Sequence, residues 1–122
     1  GNGPVFTPPY RVRQHQREEV TKQLNEMLDA GIIEASKGPW LSPVVVVEKK
    51  NGKLRICVDF RKVNDITKKD RYALPLPDDL FDTLKNARIF TKLDAFSGYW
   101  QIPLAEQDKE KTSFEADTTN LR

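Results

Sequence analysis

Asp94 is the residue of this chain whose setting most invites a chemical reading. It follows the apolar run Ile89-Phe90-Thr91-Lys92-Leu93 and precedes a Ser97-Gly98 bend set among Phe96, Tyr99 and Trp100. A carboxylate at the end of a strand can hold Mg2+, a hard cation that takes oxygen ligands and usually keeps several waters. In two-metal phosphoryl transfer such ions activate the attacking oxygen and stabilise the leaving one. The structural alternative is an Asp that only caps the following turn. A second group is cationic: Lys50 and Arg55 stand on either side of Asn51-Gly52. There Lys supplies a mobile point charge and Arg a planar bidentate donor, the combination that clamps a triphosphate. The alternative is a solvated edge whose charges discourage aggregation. Asp78-Asp79 follows Pro77 and reads as helix capping rather than as a metal pair. Nucleophilic schemes lack parts, because His15 and Cys57 stand alone in unrelated settings and no Gly-rich phosphate loop occurs.

The elements that must position these groups can be read from periodicity. Residues 1–13 carry Pro4, Pro8 and Pro9 without period and form an extended lead-in. Over residues 14–30, Val20, Leu24, Met27 and Leu28 fall on one helical stripe, and Gly31 stands where a C-terminal cap belongs. Ile32 and Ile33 begin a short extended piece. Residues 36–43 form a loop in which Trp40 packs down. Four consecutive valines, 44–47, and an alternating run over residues 53–60 flank Asn51-Gly52, the dipeptide of a type I′ hairpin turn. A two-residue loop pairs Lys50 with Lys53 and Glu48 with Arg55. Opposed residues share a face, so Val45, Val47, Leu54, Ile56 and Val58 are expected on the apolar side. Glu48, Lys50, Lys53 and Arg55 then share the charged one. A polar connection leads to a short helix after Pro77. Residues 89–93 read as a strand ending at Asp94, followed by the Ser97-Gly98 bend.

Composition narrows the class. At 122 residues, 38% hydrophobic and 31% charged, the chain reads as one modest soluble domain or part of a larger one. No apolar run approaches the ~20 residues that span a bilayer, and the first residues do not resemble a signal peptide. One cysteine makes no internal disulfide and, with one histidine, no zinc spacing. An intracellular fold is expected, metal-free apart from any ion held by carboxylates. The net charge of +2 hides a division: residues 1–72 carry 14 Lys/Arg against 9 Asp/Glu, and residues 73–122 carry 6 against 9. Chance asymmetry explains this as readily as function. A protein that grips phosphates with one part and metal ions with another has the same division.

Several motifs, in order, resemble those of one family. Gly31-Ile32-Ile33-Glu34, then Pro39-Trp40-Leu41-Ser42-Pro43-Val44-Val45, then Lys49 through Arg61, then Asp70-Arg71-Tyr72-Ala73-Leu74-Pro75 resemble the fingers of gypsy-type LTR-retrotransposon reverse transcriptases. Phe90-Thr91-Lys92-Leu93-Asp94-Ala95-Phe96-Ser97-Gly98-Tyr99-Trp100-Gln101-Ile102 is similar to that family's first palm motif, and Lys111-Thr112-Ser113-Phe114 to the stretch after it. The resemblance implies an α+β fold, an incomplete right-hand polymerase. Its parts are the lead-in at 1–13, fingers at 14–74, and the beginning of the palm at 75–122.

It also implies roles. Asp94 is the first metal-binding catalytic aspartate, with the Ala95 carbonyl a further ligand for Mg2+ or Mn2+ in the complete polymerase. Ser97 and Gly98 present backbone N–H groups near the incoming triphosphate. Tyr99 lies under the sugar and excludes a 2′-hydroxyl. Arg55 and either Lys49 or Lys50 bind the β- and γ-phosphates, the two-residue register favouring Lys50. Asp59, Phe60 and Arg61 lie near the template. Implied partners are an RNA or DNA template-primer, deoxynucleotides and the rest of a Pol polyprotein, with no membrane. The implied location is a cytoplasmic retrotransposon particle with a nuclear phase.

The family's Tyr-x-Asp-Asp hairpin does not occur in the 122 residues, nor do its Pro-Phe-Gly-type motif, primer grip, thumb or RNase H domain. Residues 115–122 depart from the family pattern. Electrostatic stabilisation is usually the largest catalytic term, so a chain with one of the usual carboxylates is expected to be inactive alone. An unpaired sheet edge beside Asp94 would favour self-association. Two further readings stand beside the enzyme: a non-catalytic, domesticated remnant serving as a nucleic-acid or protein interaction module, and a stretch of coding sequence without its own function.

Overall fold

The computed structural model describes residues 2–117. The last five residues of the expected palm segment, 118–122, therefore lie outside the described residues. The chain divides into two compact units, one formed by Gly1–Thr67 with Pro103–Arg122, the other by Lys68–Ile102.

The first unit is built on strand β1 (Ser42–Glu48), which has a neighbour on each side. β2 (Leu54–Val58) pairs with it antiparallel, and β3 (Phe114–Glu115) pairs parallel at Ser42 and Pro43. The lead-in is tied to the same region, since Thr7 N–H donates to Leu41 O at 2.9 Å and Leu41 N–H to Val5 O at 3.0 Å. Helix α1 (Gln14–Asp29) packs against β2. It has neither a side-chain N-cap bond nor acids in its first turn, so tertiary burial rather than capping holds it. That burial centres on Val20, fully enclosed with Val12, Val44 and Ala116, and Leu24, Val46, Leu54, Ile56, Val58 and Phe114 pack around them. The helix ends as expected at Gly31. With φ +71, this residue lets its own N–H donate to Leu28 O and that of Ile32 to Met27 O, both at 3.0 Å. These two bonds make a Schellman cap. A short helix, α2 (Arg61–Ile66), follows β2 directly. The polar connection of the sequence thus begins as a helix. A 3-10 helix (Glu106–Thr112) precedes β3.

The hairpin register differs by one residue from the expected one. Val44 pairs with Val58, Val46 with Ile56, Val47 with Arg55 and Glu48 with Leu54. The turn explains the shift. Gly52 N–H donates to Lys49 O at 2.9 Å, Gly52 sits at φ +77, and Lys53 N–H donates to Asn51 Oδ1 at 3.1 Å. A type I′ turn needs positive φ at both central residues, but only Gly52 of this pair has it. The loop is therefore three residues, a turn closed by a glycine bulge. A one-residue slip exchanges the faces. Val44 and Val46 face the core with Leu54, Ile56 and Val58, while Val45 and Val47 are 39% and 46% exposed. Lys50 lies in the turn itself, and Lys49 takes the place beside Arg55 that Lys50 was expected to hold.

The second unit is local structure without an interior. Helix α3 (Pro77–Thr83) has Pro at its first turn with Asp78 and Asp79, as the sequence suggested. A 3-10 helix (Gly98–Gln101) follows Ser97, which has φ 46. Between these helices residues 89–93 form no strand: a strand exists through its ladder partner, and none of the described residues pairs with them. Apart from half-buried Gly98, every residue from 68 to 102 is exposed, including Phe81, Ile89, Leu93 and Tyr99. Among the described residues no helix is long and apolar enough to cross a membrane.

The observed register sets distinct costs for truncating neighbouring valines. Val44→Ala should lower the unfolding free energy by about 2 kcal/mol, while Val45→Ala and Val47→Ala should each cost less than about 1 kcal/mol. Urea unfolding midpoints of the three variants check this order, and the two-residue register requires Val45 and Val47 to be the costly pair.

Candidate functional site

Three groups of residues carry the chemistry read from the sequence, and they fall on the two units unequally. The hairpin brings Lys49, Lys53 and Arg55 onto the exposed face of β1 and β2, since the buried face is filled by Val44, Val46, Leu54 and Ile56. Lys49 and Lys53 flank the turn and are joined by Lys49 N–H donating to Lys53 O at 2.8 Å. None of the four side chains Lys49, Lys50, Lys53 and Arg55 forms an ion pair among the described residues, so their charges face solvent. No carboxylate among the described residues neutralises this face, and a face of that kind favours anions.

Asp94, Ala95, Ser97, Gly98 and Tyr99 belong to the second unit. Asp94 is exposed, lies on irregular backbone just before the turn, and has no hydrogen bond or ion pair among the described residues. The Asp94 carboxylate and the Ala95 carbonyl are hard oxygen donors of the kind Mg2+ takes. Among the described residues no three His, Cys, Asp or Glu gather around them. Ser97 holds a left-handed backbone at a cost of order 1 kcal/mol, and it turns the chain so that Trp100 N–H donates to Ser97 O at 2.9 Å. Gln101 Nε2 donates to Phe96 O at 2.6 Å and closes the turn from the other end. Tyr99 stands 95% exposed.

The third group is the best ordered. Asp59 follows β2, and its backbone N–H donates to Pro43 O at 2.8 Å, extending the β1–β2 pairing. Its carboxylate accepts four hydrogen bonds. Arg61 supplies three, Nε to Oδ1 at 2.9 Å, Nη2 to Oδ2 at 2.7 Å and its backbone N–H to Oδ1 at 3.1 Å. The fourth comes from Tyr10 Oη to Oδ2 at 3.0 Å. The Arg61 fork above all, then its backbone N–H, hold the Asp59 carboxyl well below the usual carboxylate range; burial opposes them, and the Tyr10 hydroxyl lowers it by less than burial raises it. The Arg61 guanidinium is in turn held above its ordinary value, chiefly by the bond to Asp59. Thr7, Tyr10, Pro43, Asp59, Arg61, Lys62 and Asp65 line a cleft of about 270 Å³. Tyr10 escaped the sequence reading, because nothing in a proline-rich lead-in marks a residue that meets a partner 49 positions away.

Comparison with known proteins follows the same stretch of chain. The family model described as reverse transcriptase (RNA-dependent DNA polymerase) matches residues 47–121. The chain is 41% identical over 119 residues to the retrovirus-related Pol polyprotein from transposon gypsy of Drosophila melanogaster, covering 93% of this chain and 12% of that protein. It is 37% identical over 118 residues to the corresponding polyprotein from transposon 297 of the same organism, covering 93% of this chain and 11% of the relative. The enzymatic polyprotein of cauliflower mosaic virus (strain Strasbourg) is 36% identical over 114 residues, 90% of this chain and 17% of that protein. The chain thus spans less than a fifth of the length of each of these relatives.

The lowered pKa of Asp59 fixes a pH dependence. A carboxyl with a lowered folded-state pKa adds stability above its unfolded value, and that stability is lost as pH falls toward the folded value. The contribution of Asp59 should be fully present well above 3.8, its ordinary value, and decline below it. Melting temperatures of the chain and of Asp59→Asn should therefore differ at pH 6 and converge on acidification below about pH 3.5. A gap that stays constant down to pH 2 would show that the carboxylate has no such role.

Proposed function

The chain belongs to the reverse transcriptase (RNA-dependent DNA polymerase) family, and from that premise we propose that it supplies the fingers and the opening of the palm of a retrotransposon Pol polymerase. Residues 14–74 are the fingers and 75–122 the beginning of the palm. The parent enzyme adds deoxynucleotides to a primer 3′ end on an RNA or DNA template. The observation that carries this reading is the hairpin: Lys49, Lys53 and Arg55 share the solvent face of a ribbon whose other face is buried in the fold.

In this reading Arg55 and Lys49 take the β- and γ-phosphates, Arg as a bidentate donor and Lys as a point charge. Ser97 and Gly98 offer backbone N–H groups to the triphosphate, and Tyr99 lies under the sugar. Asp59, Phe60 and Arg61 lie along the template. Asp94 and the Ala95 carbonyl give their oxygens to a divalent ion, Mg2+ or Mn2+. Held there, such an ion would supply activation of the attacking 3′-oxygen and, with a second ion, stabilisation of the leaving pyrophosphate. In this reading waters, the substrate phosphates and carboxylates of the rest of the polymerase complete its coordination. The apolar side chains of residues 68–102 find cover in the same additional polypeptide, or in a second copy of the chain when it is absent. By kinship, the parent acts in a cytoplasmic retrotransposon particle with a nuclear phase, which fractionation of expressing cells would check.

Primer extension tests the reading in two arms. The 122-residue chain should incorporate no deoxynucleotide, and light scattering should show it associating at high concentration. A longer polypeptide that includes the family's Tyr-x-Asp-Asp segment should extend the primer, and Asp94→Asn should lower its kcat about a thousandfold. In that longer polypeptide Lys49→Ala should raise the KM for deoxynucleotide about tenfold and Lys50→Ala less than about threefold. Equal or reversed effects of the two lysines would return the triphosphate to Lys50.

A further inference from the structure

Arg61 carries the feature that the family reading leaves unexplained. A surface arginine is ordinarily a mobile side chain that must give up many rotamers when it binds. Here 82% of the Arg61 side chain is open to solvent, yet its Nε and Nη2 are already committed to the two oxygens of one carboxylate. Asp59 is only 10% exposed and is itself fixed, by its backbone N–H to Pro43 O and by the Tyr10 hydroxyl on Oδ2. Tyr10 arrives from the lead-in, which Thr7 and Leu41 fasten to the start of β1. The guanidinium is thereby held with one edge on Asp59. Two of its five N–H groups are spent on the fork, and the other three make no hydrogen bond among the described residues.

The charges around the cleft sharpen the argument. Arg61 and Lys62 are balanced there by Asp59 and Asp65, so the cleft is no general trap for polyanions. Whatever an anion gains at Arg61 must come from the placement of those free N–H groups more than from net charge. Placement depends on Asp59, and among the described residues Asp59 has one side-chain partner besides Arg61, the hydroxyl of Tyr10.

We propose that Tyr10 is a positioning residue: acting through Asp59, it presets the Arg61 guanidinium to receive a phosphodiester of single-stranded nucleic acid. This rests on the reading of Arg61 as a template-side residue and adds to it the lead-in, which becomes part of the binding apparatus. Removing the hydroxyl takes away one of the two hydrogen bonds on Asp59 Oδ2 and loosens the fork, leaving Arg61 charged but less well aimed.

Fluorescence anisotropy of the 122-residue chain with a fluorescein-labelled oligodeoxythymidylate tests the proposal as a double-mutant cycle. Arg61→Ala should weaken binding about tenfold, and Tyr10→Phe, which keeps the ring and its packing, about threefold to tenfold. In the Arg61→Ala background Tyr10→Phe should have no further effect. The Arg61 Nε–H resonance in an NMR spectrum should exchange slowly in the unaltered chain and broaden in Tyr10→Phe. Additive losses, an unaffected affinity in Tyr10→Phe, or an unaltered Arg61 resonance would overturn the role of Tyr10 while leaving Arg61 on the template. If the unaltered chain does not bind the oligonucleotide, or Arg61→Ala binds as it does, the template reading fails and takes the proposal with it.

Discussion

The backbone of residues 41–44 is the constraint on which the first unit depends. Buried main-chain N–H and C=O groups must be paired, and this short stretch is approached from several sides. Leu41 exchanges bonds with the lead-in, Ser42 N–H donates to Ser113 O at 2.9 Å, Pro43 O accepts from Asp59, and Val44 begins the pairing with β2. Pro43 has no N–H to offer, so its place in the middle of a sheet is tolerable only where no neighbour needs that donor. Fully buried Val44 then lies against Val20 of α1. Segments far apart in sequence, 5–7, 12–24, 54–59 and 113–116, are brought together by this one strand. The cationic hairpin continues this strand, and the Asp59–Arg61 pair follows β2 and is tied back to it by Asp59 N–H on Pro43 O.

That anchorage divides the functional residues by kind. The cations stand on a unit with a core, so their placement is a property of the unit. Asp94 and its neighbours stand on a stretch that buries nothing, where helix α3 and the turn at Ser97 are held by local bonds alone. A metal-binding carboxylate has to be fixed to within a fraction of an ångström to contribute electrostatically. The exposed apolar side chains around it are the means by which another surface can fix it. Exposed apolar side chains of this kind mark an interaction surface, and the proposal that the rest of a polymerase covers it rests on family membership.

Much of this was legible in the sequence where a local signal decides the structure. The amphipathic stripe through Val20 and Leu24 gave α1, Gly31 gave its end, Pro77 with two acids gave α3, and the ordered motifs gave the family. Reading failed where the decision is not local. Asn51-Gly52 fits a type I′ turn, but four successive valines cannot say which pair faces inward, and the core chose Val44 and Val46. Residues 89–93 have strand composition without a partner to realise it. α2 is six residues long, too short for a periodic signal, and β3 exists only by virtue of β1. Tyr10 could not be found without coordinates, because its meaning lies wholly in a bond across 49 positions.

The one-residue shift in the hairpin bears on chemistry as well as packing. In the two-residue register Lys50 and Arg55 would lie on one face with Glu48, an acid poised to neutralise them. In the observed register Glu48 pairs with Leu54 and takes the parity of the buried face at its open end, while Lys49, Lys53 and Arg55 share the other. The outward face then carries three cations and no acid. At an effective dielectric constant near that of a protein surface, a carboxylate ~4 Å from a cation is worth about 4 kcal/mol of Coulomb energy before desolvation, enough to compete with a phosphate for the same donor. Displacing Glu48 from that face removes the competitor. The glycine bulge at Gly52 thus decides the electrostatics of the ribbon: by adding one residue to the loop, it separates the acid from the bases and leaves the bases for an anion from solution.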